Sequence, residues 1–96
     1  MAVTISTGDT KRNYEIIDVV FAMDSFSPGM FSSDDPNKAF QGVRKQLVSK
    51  CVSLKGDAVI HCHFDYRPSQ GDGVMSKKQV FELFAYGTVV KFVSEN

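Results

Sequence analysis

The spacing of hydrophobic positions changes along the chain, and each change marks a predicted element. Residues 14–23 (YEIIDVVFAM) are rich in β-branched and aromatic side chains and follow a polar stretch, which predicts a first strand. The Ser-, Pro-, Gly- and Asp-containing residues 24–35 then predict a long loop. Because Phe26, Met30 and Phe31 are apolar, we expect this loop to pack onto the domain or a neighbour.

A helix is predicted after this loop. Asp35 is suited to cap the first amides, Pro36 fits the first helical position, and Gly56 is expected to supply the left-handed residue beyond the end. The apolar positions between them recur at helical spacing and form one stripe, namely Ala39, Phe40, Val43, Leu47, Cys51 and Leu54. The chain therefore contains an amphipathic helix of about five turns.

After Gly56 the period becomes two, which predicts a strand. One predicted face carries Ala58, Ile60, Cys62, Phe64 and Tyr66, and the other carries Val59, His61, His63, Asp65 and Arg67. Residues 68–73 (PSQGDG) predict a turn. A last strand over residues 79–93 is apolar on both sides, and Gly87 inside it indicates a bulge and a second buried surface.

The order strand, helix, strand, strand predicts an α+β fold. We expect one domain over residues 1–96, built as a two-layer β-α-β-β subunit with an antiparallel-type sheet and one covering helix. A single helix covers only one face of a sheet. The other face must therefore meet water or another subunit.

Composition limits the classes of binding partner and the cellular compartment that we expect for this chain. Eleven Lys and Arg balance eleven Asp and Glu, so no global field favours nucleic acid or a membrane surface. The basic helix residues Lys38, Arg44, Lys45, Lys50 and Lys55 fit a solvated face, and phosphate or nucleic-acid binding is the alternative. The N terminus lacks a signal-peptide pattern and no apolar run is long enough to span a membrane, so we expect a cytoplasmic protein whose two cysteines stay reduced.

Several segments resemble one family. Residues 54–65 (LKGDAVIHCHFD) and 81–91 (FELFAYGTVVK) resemble the "AVIG" and "AYGT" blocks of the YbjQ-like family, whose other name refers to heavy-metal binding, and residues 14–22 are similar to its first strand. The resemblance covers nearly the whole chain. It implies a dodecin-like arrangement of the subunit and a ring oligomer, commonly a pentamer. Family members usually carry a longer Gly- and Arg-containing block where this chain has only residues 24–35.

The sharpest candidate for chemistry is the set His61, His63 and Asp65. At positions i, i+2 and i+4 of a strand their side chains would point the same way, and two imidazoles with a carboxylate suit zinc, copper, nickel or ferrous iron. Neighbours on one face are about 6.6 to 7 Å apart, so a third ligand is expected from elsewhere, with Asp18 and Glu82 as candidates. The alternative is a set of hydrated side chains on the uncovered face, since the family usually has other residues at both histidine positions.

A second candidate is the set Phe84, Tyr86 and Thr88 in the last strand. Gly87 between them would let a planar ligand or another backbone approach closely, and aromatic residues also concentrate in subunit interfaces. Both a ligand pocket and a subunit contact therefore remain open.

These features favour a homo-oligomeric binding or structural module that binds itself, with a transition metal ion as the candidate cofactor. The alternative is a small-ligand carrier of dodecin-like type, whose pocket forms between subunits. An enzyme is not expected, because the sequence shows no nucleophile with a positioned base, no cofactor loop and no paired acids.

Overall fold

The computed structural model describes residues 2–26, 36–70 and 79–94, and these form an α+β domain. Its elements are β1 (Thr4–Ile5), β2 (Tyr14–Phe26), α1 (Pro36–Ser53), β3 (Ala58–Gln70) and β4 (Gln79–Phe92). Across the described ranges, no helix combines the length and apolar character needed to cross a membrane. The helix begins at Pro36, as predicted, whereas Asp35, Met30 and Phe31 lie outside the described residues.

The sheet is mixed and has four strands, which corrects the prediction of three strands of antiparallel type. Its order is β1-β3-β4-β2, with β4 antiparallel to both β3 and β2 and β1 parallel to β3. A two-residue strand is too short to leave a periodic signal, and β1 exists because its backbone pairs with β3. Consecutive strands β1 and β2 lie at opposite edges, so residues 6–13 pass from one edge to the other.

Two strands are longer than the turn residues suggested. Asp24, Ser25 and Phe26 continue β2, and Pro68 continues β3 to Gln70, because each pairs in register with β4. In the described residues β1 pairs with Ala58 and Val59, so at Pro68 the side of β3 that faces away from β4 is an unpaired sheet edge. Proline is tolerated at such an edge, because its missing N–H removes no hydrogen bond from the sheet. The predictions that the loop begins at residue 24 and the turn at residue 68 were therefore wrong. The rest of both predicted segments, residues 27–35 and 71–73, lies outside the described residues.

The main core lies between α1 and the sheet. Four helix residues of the predicted stripe are buried in it, Ala39, Val43, Leu47 and Cys51, and they meet the sheet residues Val20, Ala22, Val59, Cys62, Leu83, Ala85 and Val89. Full burial of an aliphatic side chain contributes about 1.5 to 3 kcal/mol, so this layer holds the helix on the sheet. Leu54 departs from the prediction, since it follows the helix and is exposed.

The C-terminal end of α1 uses a different residue from the one predicted. Lys55, with φ of 61°, is the left-handed residue, and Gly56 follows it. Lys55 N–H donates to Val52 O and Gly56 N–H to Cys51 O, both at 2.9 Å, which is a Schellman motif. Gly56 is needed for space, because a Cβ there would collide with Cγ1 of Val89.

The bulge indicated by Gly87 lies in the neighbouring strand β3. Ile60 pairs with Thr88 and His63 with Tyr86, so two residues of β3, His61 and Cys62, oppose Gly87. His61 takes the positive φ of 51° that the extra residue requires. A Cβ on Gly87 would lie 2.6 Å from Val59 Cγ1 and 2.7 Å from Cys62 Sγ, so only glycine leaves room for the bulge.

This bulge reverses the predicted face assignment in β3. Val59 packs with Cys62 in the helix-side core, whereas Ala58 and Ile60 form a second cluster with Val90 on the opposite face. The strict alternation expected from Ala58 to Arg67 was therefore wrong. An extra residue in a strand moves every later side chain to the other face.

The second cluster closes one end of the face that α1 leaves uncovered. Tyr14 and Phe92 pack against it, and two residues of the crossing segment, residues 6–13, contact these two side chains. Asp9 accepts a hydrogen bond from Tyr14 Oη at 3.2 Å, and the Arg12 guanidinium lies 4.1 Å from the centre of the Phe92 ring. The remainder of that face has no such cover among the described residues.

Candidate functional site

An apolar patch lies on the uncovered face of the sheet. We define it by five side chains, Val19, Phe21 and Met23 on β2 with Phe84 and Tyr86 on β4. Phe21 and Met23 are 63% and 60% exposed, and Tyr86 is 42% exposed. Ile16 and Ile17, at the bulge of β2, extend the exposed apolar surface along that strand.

Alternation along β2 and β4 builds this patch. Side chains at every second residue point to one face, and the residues that alternate with Val20, Ala22, Leu83 and Ala85 of the core therefore point away from the helix. In register, Phe21 lies opposite Tyr86 and Met23 opposite Phe84. The sequence-predicted residues Phe84, Tyr86 and Thr88 are thus brought together on this face.

Tyr86 links the patch to β3. Its ring lies 6.5 Å from the Phe21 ring, and 5.4 Å from the His63 imidazole in a stacked arrangement with an interplanar angle of 26°. Aromatic pairs at these distances contribute about 0.5 to 1.5 kcal/mol beyond their burial. The apolar patch is therefore a continuous surface across β2 and β4 that ends on an imidazole of β3.

The predicted metal residues are placed differently from one another. His61 sits in the bulge, where its N–H donates to Gly8 O and its Nε2 lies 3.8 Å from Asp9 Oδ1. His63 instead contacts Tyr86 of β4, the strand that neighbours β3 on the edge opposite to β1. Asp65 shares the uncovered face with His63, and its Oδ1 accepts the N–H of Tyr66 at 2.8 Å.

The described residues do not assemble a complete metal site. No three His, Cys, Asp or Glu side chains within residues 2–26, 36–70 and 79–94 are grouped so as to hold an ion. Glu82 binds Arg67, with Oε2 3.0 Å from Nη2, and Asp18 alternates with Val20 and so lies on the helix side. The set His61, His63 and Asp65 therefore stays a prediction that needs ligands from outside these residues.

Both cysteines belong to the core. Burial raises the pKa of the Cys51 and Cys62 thiols, Asp57 raises that of Cys51 further, and a backbone hydrogen bond from Ser6 acts in the opposite direction on Cys62. Neither residue is in a disulfide. Because Cys62 lies on the helix side and His63 on the other, these neighbours do not form a nucleophilic dyad.

Side chains cover backbone groups along the outer edge of β2, a feature that sequence reasoning missed. Gln46 of α1 bonds both the N–H and the carbonyl of Met23, and the ammonium group of Lys50 donates to the carbonyl of Phe21. Asp18 and Asp24 accept the N–H of the residue that follows each of them. An edge covered in this way resists pairing with another strand. The sequence signal for this cover is the pair Gln46 and Lys50, two polar residues four positions apart that flank the apolar stripe of the helix.

Comparisons with known proteins find similarity at the level of solved structures. No protein-family model and no curated protein matches the chain. The chain is similar to the crystal structure of a protein of unknown function from Pediococcus pentosaceus that belongs to the DUF74 family, with a TM-score of 0.68, 26% identity, and coverage of 95% of this chain and 98% of that chain. DUF74 is the YbjQ-like family. The likeness supports a small α+β module and brings no activity with it.

Proposed function

We propose that this chain is a non-enzymatic module that works as a homo-oligomer, with subunits meeting through the apolar patch. The observation that carries the proposal is the exposure of Phe21 and Met23 beside Tyr86 on a face that α1 leaves uncovered. Soluble monomers rarely expose large contiguous apolar surfaces, and such surfaces mark association sites. Each Å² of apolar surface removed from water stabilises an assembly by about 25 cal/mol.

A second copy of this chain is the occupant that fits best. The formal net charge is zero, so copies do not repel one another, and near-zero charge favours association. The rim of the patch carries both signs, as the ion pair of Arg67 with Glu82. Because Gln46 and Lys50 cover the edge of β2, association through the face is favoured over strand addition.

The resemblance to the YbjQ-like family favours a ring, commonly a pentamer. Such a particle would have five times the 10.7 kDa subunit mass. Sedimentation velocity tests the proposal, with Phe21→Lys as the disrupting variant and Val52→Lys as its control. Val52 is also an exposed apolar residue, 57% exposed, but it lies on the helix away from the patch.

We expect the parent chain and Val52→Lys to sediment as the oligomer and Phe21→Lys to sediment as the monomer with an unchanged circular dichroism spectrum. A monomeric parent at about 0.1 mM, a concentration at which the weaker specific complexes form, would overturn the proposal. If Phe21→Lys remained oligomeric, the apolar patch would not be the surface through which the subunits meet.

A metal ion or a small ligand held between subunits is the second candidate. His63 and Asp65 are exposed on the same face as the apolar patch, so an assembly would bring copies of both residues together. We expect metal in protein purified without a histidine tag to be lost in His63→Ala. Metal content unaffected by that change would contradict the hypothesis, and a coloured or fluorescent sample free of metal would favour the ligand carrier.

A further inference from the structure

A cavity of about 630 Å³ lies at the end of the domain where α1 ends, β3 begins and β4 ends. Its volume is in the range of small-molecule sites, about 300 to 1,000 Å³. Its lining includes the charged and apolar side chains of Arg12, Val52, Lys55, Asp57, Lys91 and Phe92. None of the residues that line it belongs to the apolar patch, so the cavity is independent of the proposed assembly surface.

The lining is strongly cationic although the whole chain is neutral. Three cations, Arg12, Lys55 and Lys91, come from the crossing segment, the end of the helix and β4, and Asp57 is the acidic member of this lining. The Asp57 carboxylate is already engaged, since Oδ2 accepts the N–H of Phe92 at 2.8 Å. The end of α1 adds a partial charge of only about −0.5, which is smaller than the surplus of positive charge.

Lys55, which lines the cavity, has an unfavourable backbone conformation. Its φ of 61° belongs to the left-handed region, which costs a residue with a Cβ about 1 to 2 kcal/mol and which glycine adopts freely. Strained residues that persist cluster at functional sites. A lysine at this position places a cation at the cavity where a glycine would stabilise the helix end more.

The side chain of Arg12 is oriented by its contact with Phe92. The guanidinium lies over the Phe92 ring at 4.1 Å, a cation–π contact that limits the motion of the side chain. Val52 and Phe92 add apolar surface to the same cavity. The lining therefore combines cations for an anionic group with apolar side chains for a carbon skeleton.

We propose that this cavity binds a small organic molecule that carries a phosphate group. Arg12, Lys55 and Lys91 bind the phosphate, for which guanidinium and ammonium groups are the usual partners. Val52 and Phe92 contact the organic part. The binding needs no metal and no second subunit.

Phenyl phosphate is the test probe, titrated by calorimetry into the 96-residue chain. The protein carries no N-terminal tag, because Ala2 and Val3 also line the cavity. Phenol and inorganic phosphate are the comparison ligands. We expect saturable binding of one phenyl phosphate per chain that weakens with added salt, weaker binding of inorganic phosphate, and none of phenol. Lys55→Gly and Lys91→Gln should each weaken binding about two- to fivefold, and the exposed helix variant Lys45→Gln should leave it unchanged.

Lys55→Gly separates binding from folding, because it removes the cation and also relieves the backbone strain. We expect this variant to melt at a higher temperature while it binds more weakly. Unchanged affinity in Lys55→Gly, or an equal loss in Lys45→Gln, would overturn the site. Inorganic phosphate binding as tightly as phenyl phosphate would overturn the organic ligand.

Discussion

The side-chain amide of Gln46 on α1 pairs with the backbone of Met23 at the outer edge of β2. Gln46 Nε2 donates to Met23 O at 2.8 Å, and Met23 N–H donates to Gln46 Oε1 at 3.4 Å. The helix therefore holds the sheet through its buried stripe and also covers the backbone of the edge strand. A β-strand edge without such cover is a template for pairing with other chains.

Replacing Gln46 should expose this edge. We expect Gln46→Ala to destabilise the protein by about 1 kcal/mol, since each hydrogen bond contributes about 0.5 to 1.5 kcal/mol net, and to increase aggregation on heating. Light scattering during a thermal ramp measures the second effect. Gln41→Ala is the control, because Gln41 is an exposed glutamine of the same helix that makes no hydrogen bond to β2 within the described residues. Equal scattering from both variants would contradict the role of Gln46.

Two Lys→Gly substitutions should change stability in opposite directions. Lys55→Gly relieves the left-handed conformation and is expected to stabilise the protein by about 1 kcal/mol, which is a rise of about 4 to 8 °C in Tm for a domain of this size. Lys45→Gly, within α1, should destabilise by about 1 kcal/mol because glycine is a poor helix former. Urea unfolding of both variants measures these changes, and a loss of stability in Lys55→Gly would contradict the assigned strain.

The packing of Gly87 against the bulge predicts a sensitive position in β4. A methyl group there would press on Val59 Cγ1 and Cys62 Sγ, so we expect Gly87→Ala to cost about 1 to 3 kcal/mol. Among the described residues, the new Cβ of Gly8→Ala would meet Ser6 Oγ alone, at 3.9 Å, and stability should change little. Adding Cys62→Ala to Gly87→Ala should recover part of the loss. Full tolerance of Gly87→Ala in denaturant unfolding would disprove the close packing.

The buried thiols predict a loss of stability at alkaline pH. The pKa of Cys51 and that of Cys62 are raised above their ordinary value, mainly by burial. Below the thiol pKa of the unfolded chain, about 8.5, the thiols are protonated in both the folded and the unfolded state. In this pH range their ionisation does not lower the free energy of unfolding. As pH rises further the unfolded chain ionises first, and stability falls.

Urea midpoints between about pH 8 and pH 10.5, a range that spans the ordinary thiol pKa, measure this effect. The variant Cys51→Ala/Cys62→Ala should be less stable at every pH but should lose less stability as the pH rises. Tyr14, whose pKa is also raised, by desolvation and by Asp9, adds a slope that both proteins share. Parallel pH profiles of the two proteins would contradict the role of the thiols.

The placement of His61 and His63 shows why the candidate site was harder to predict than the elements. Their i, i+2 spacing indicated one face, but that inference holds only for a strand of unbroken alternation. The backbone of His61 takes a positive φ because an extra residue of β3 must fit opposite Gly87. Gly87 did indicate a bulge, but a residue pattern does not say in which strand the extra residue lies.

The sequence alone determined the features that follow from local periodicity and backbone preference. The helix from Pro36, its buried stripe and the long strands on either side were readable because each depends on residues close in the chain. The tertiary structure decided the pairing of β1 with β3, the bulge at His61, and the left-handed Lys55 in place of Gly56. These depend on contacts between distant residues, such as Val89 against Gly56, and no local pattern encodes such contacts.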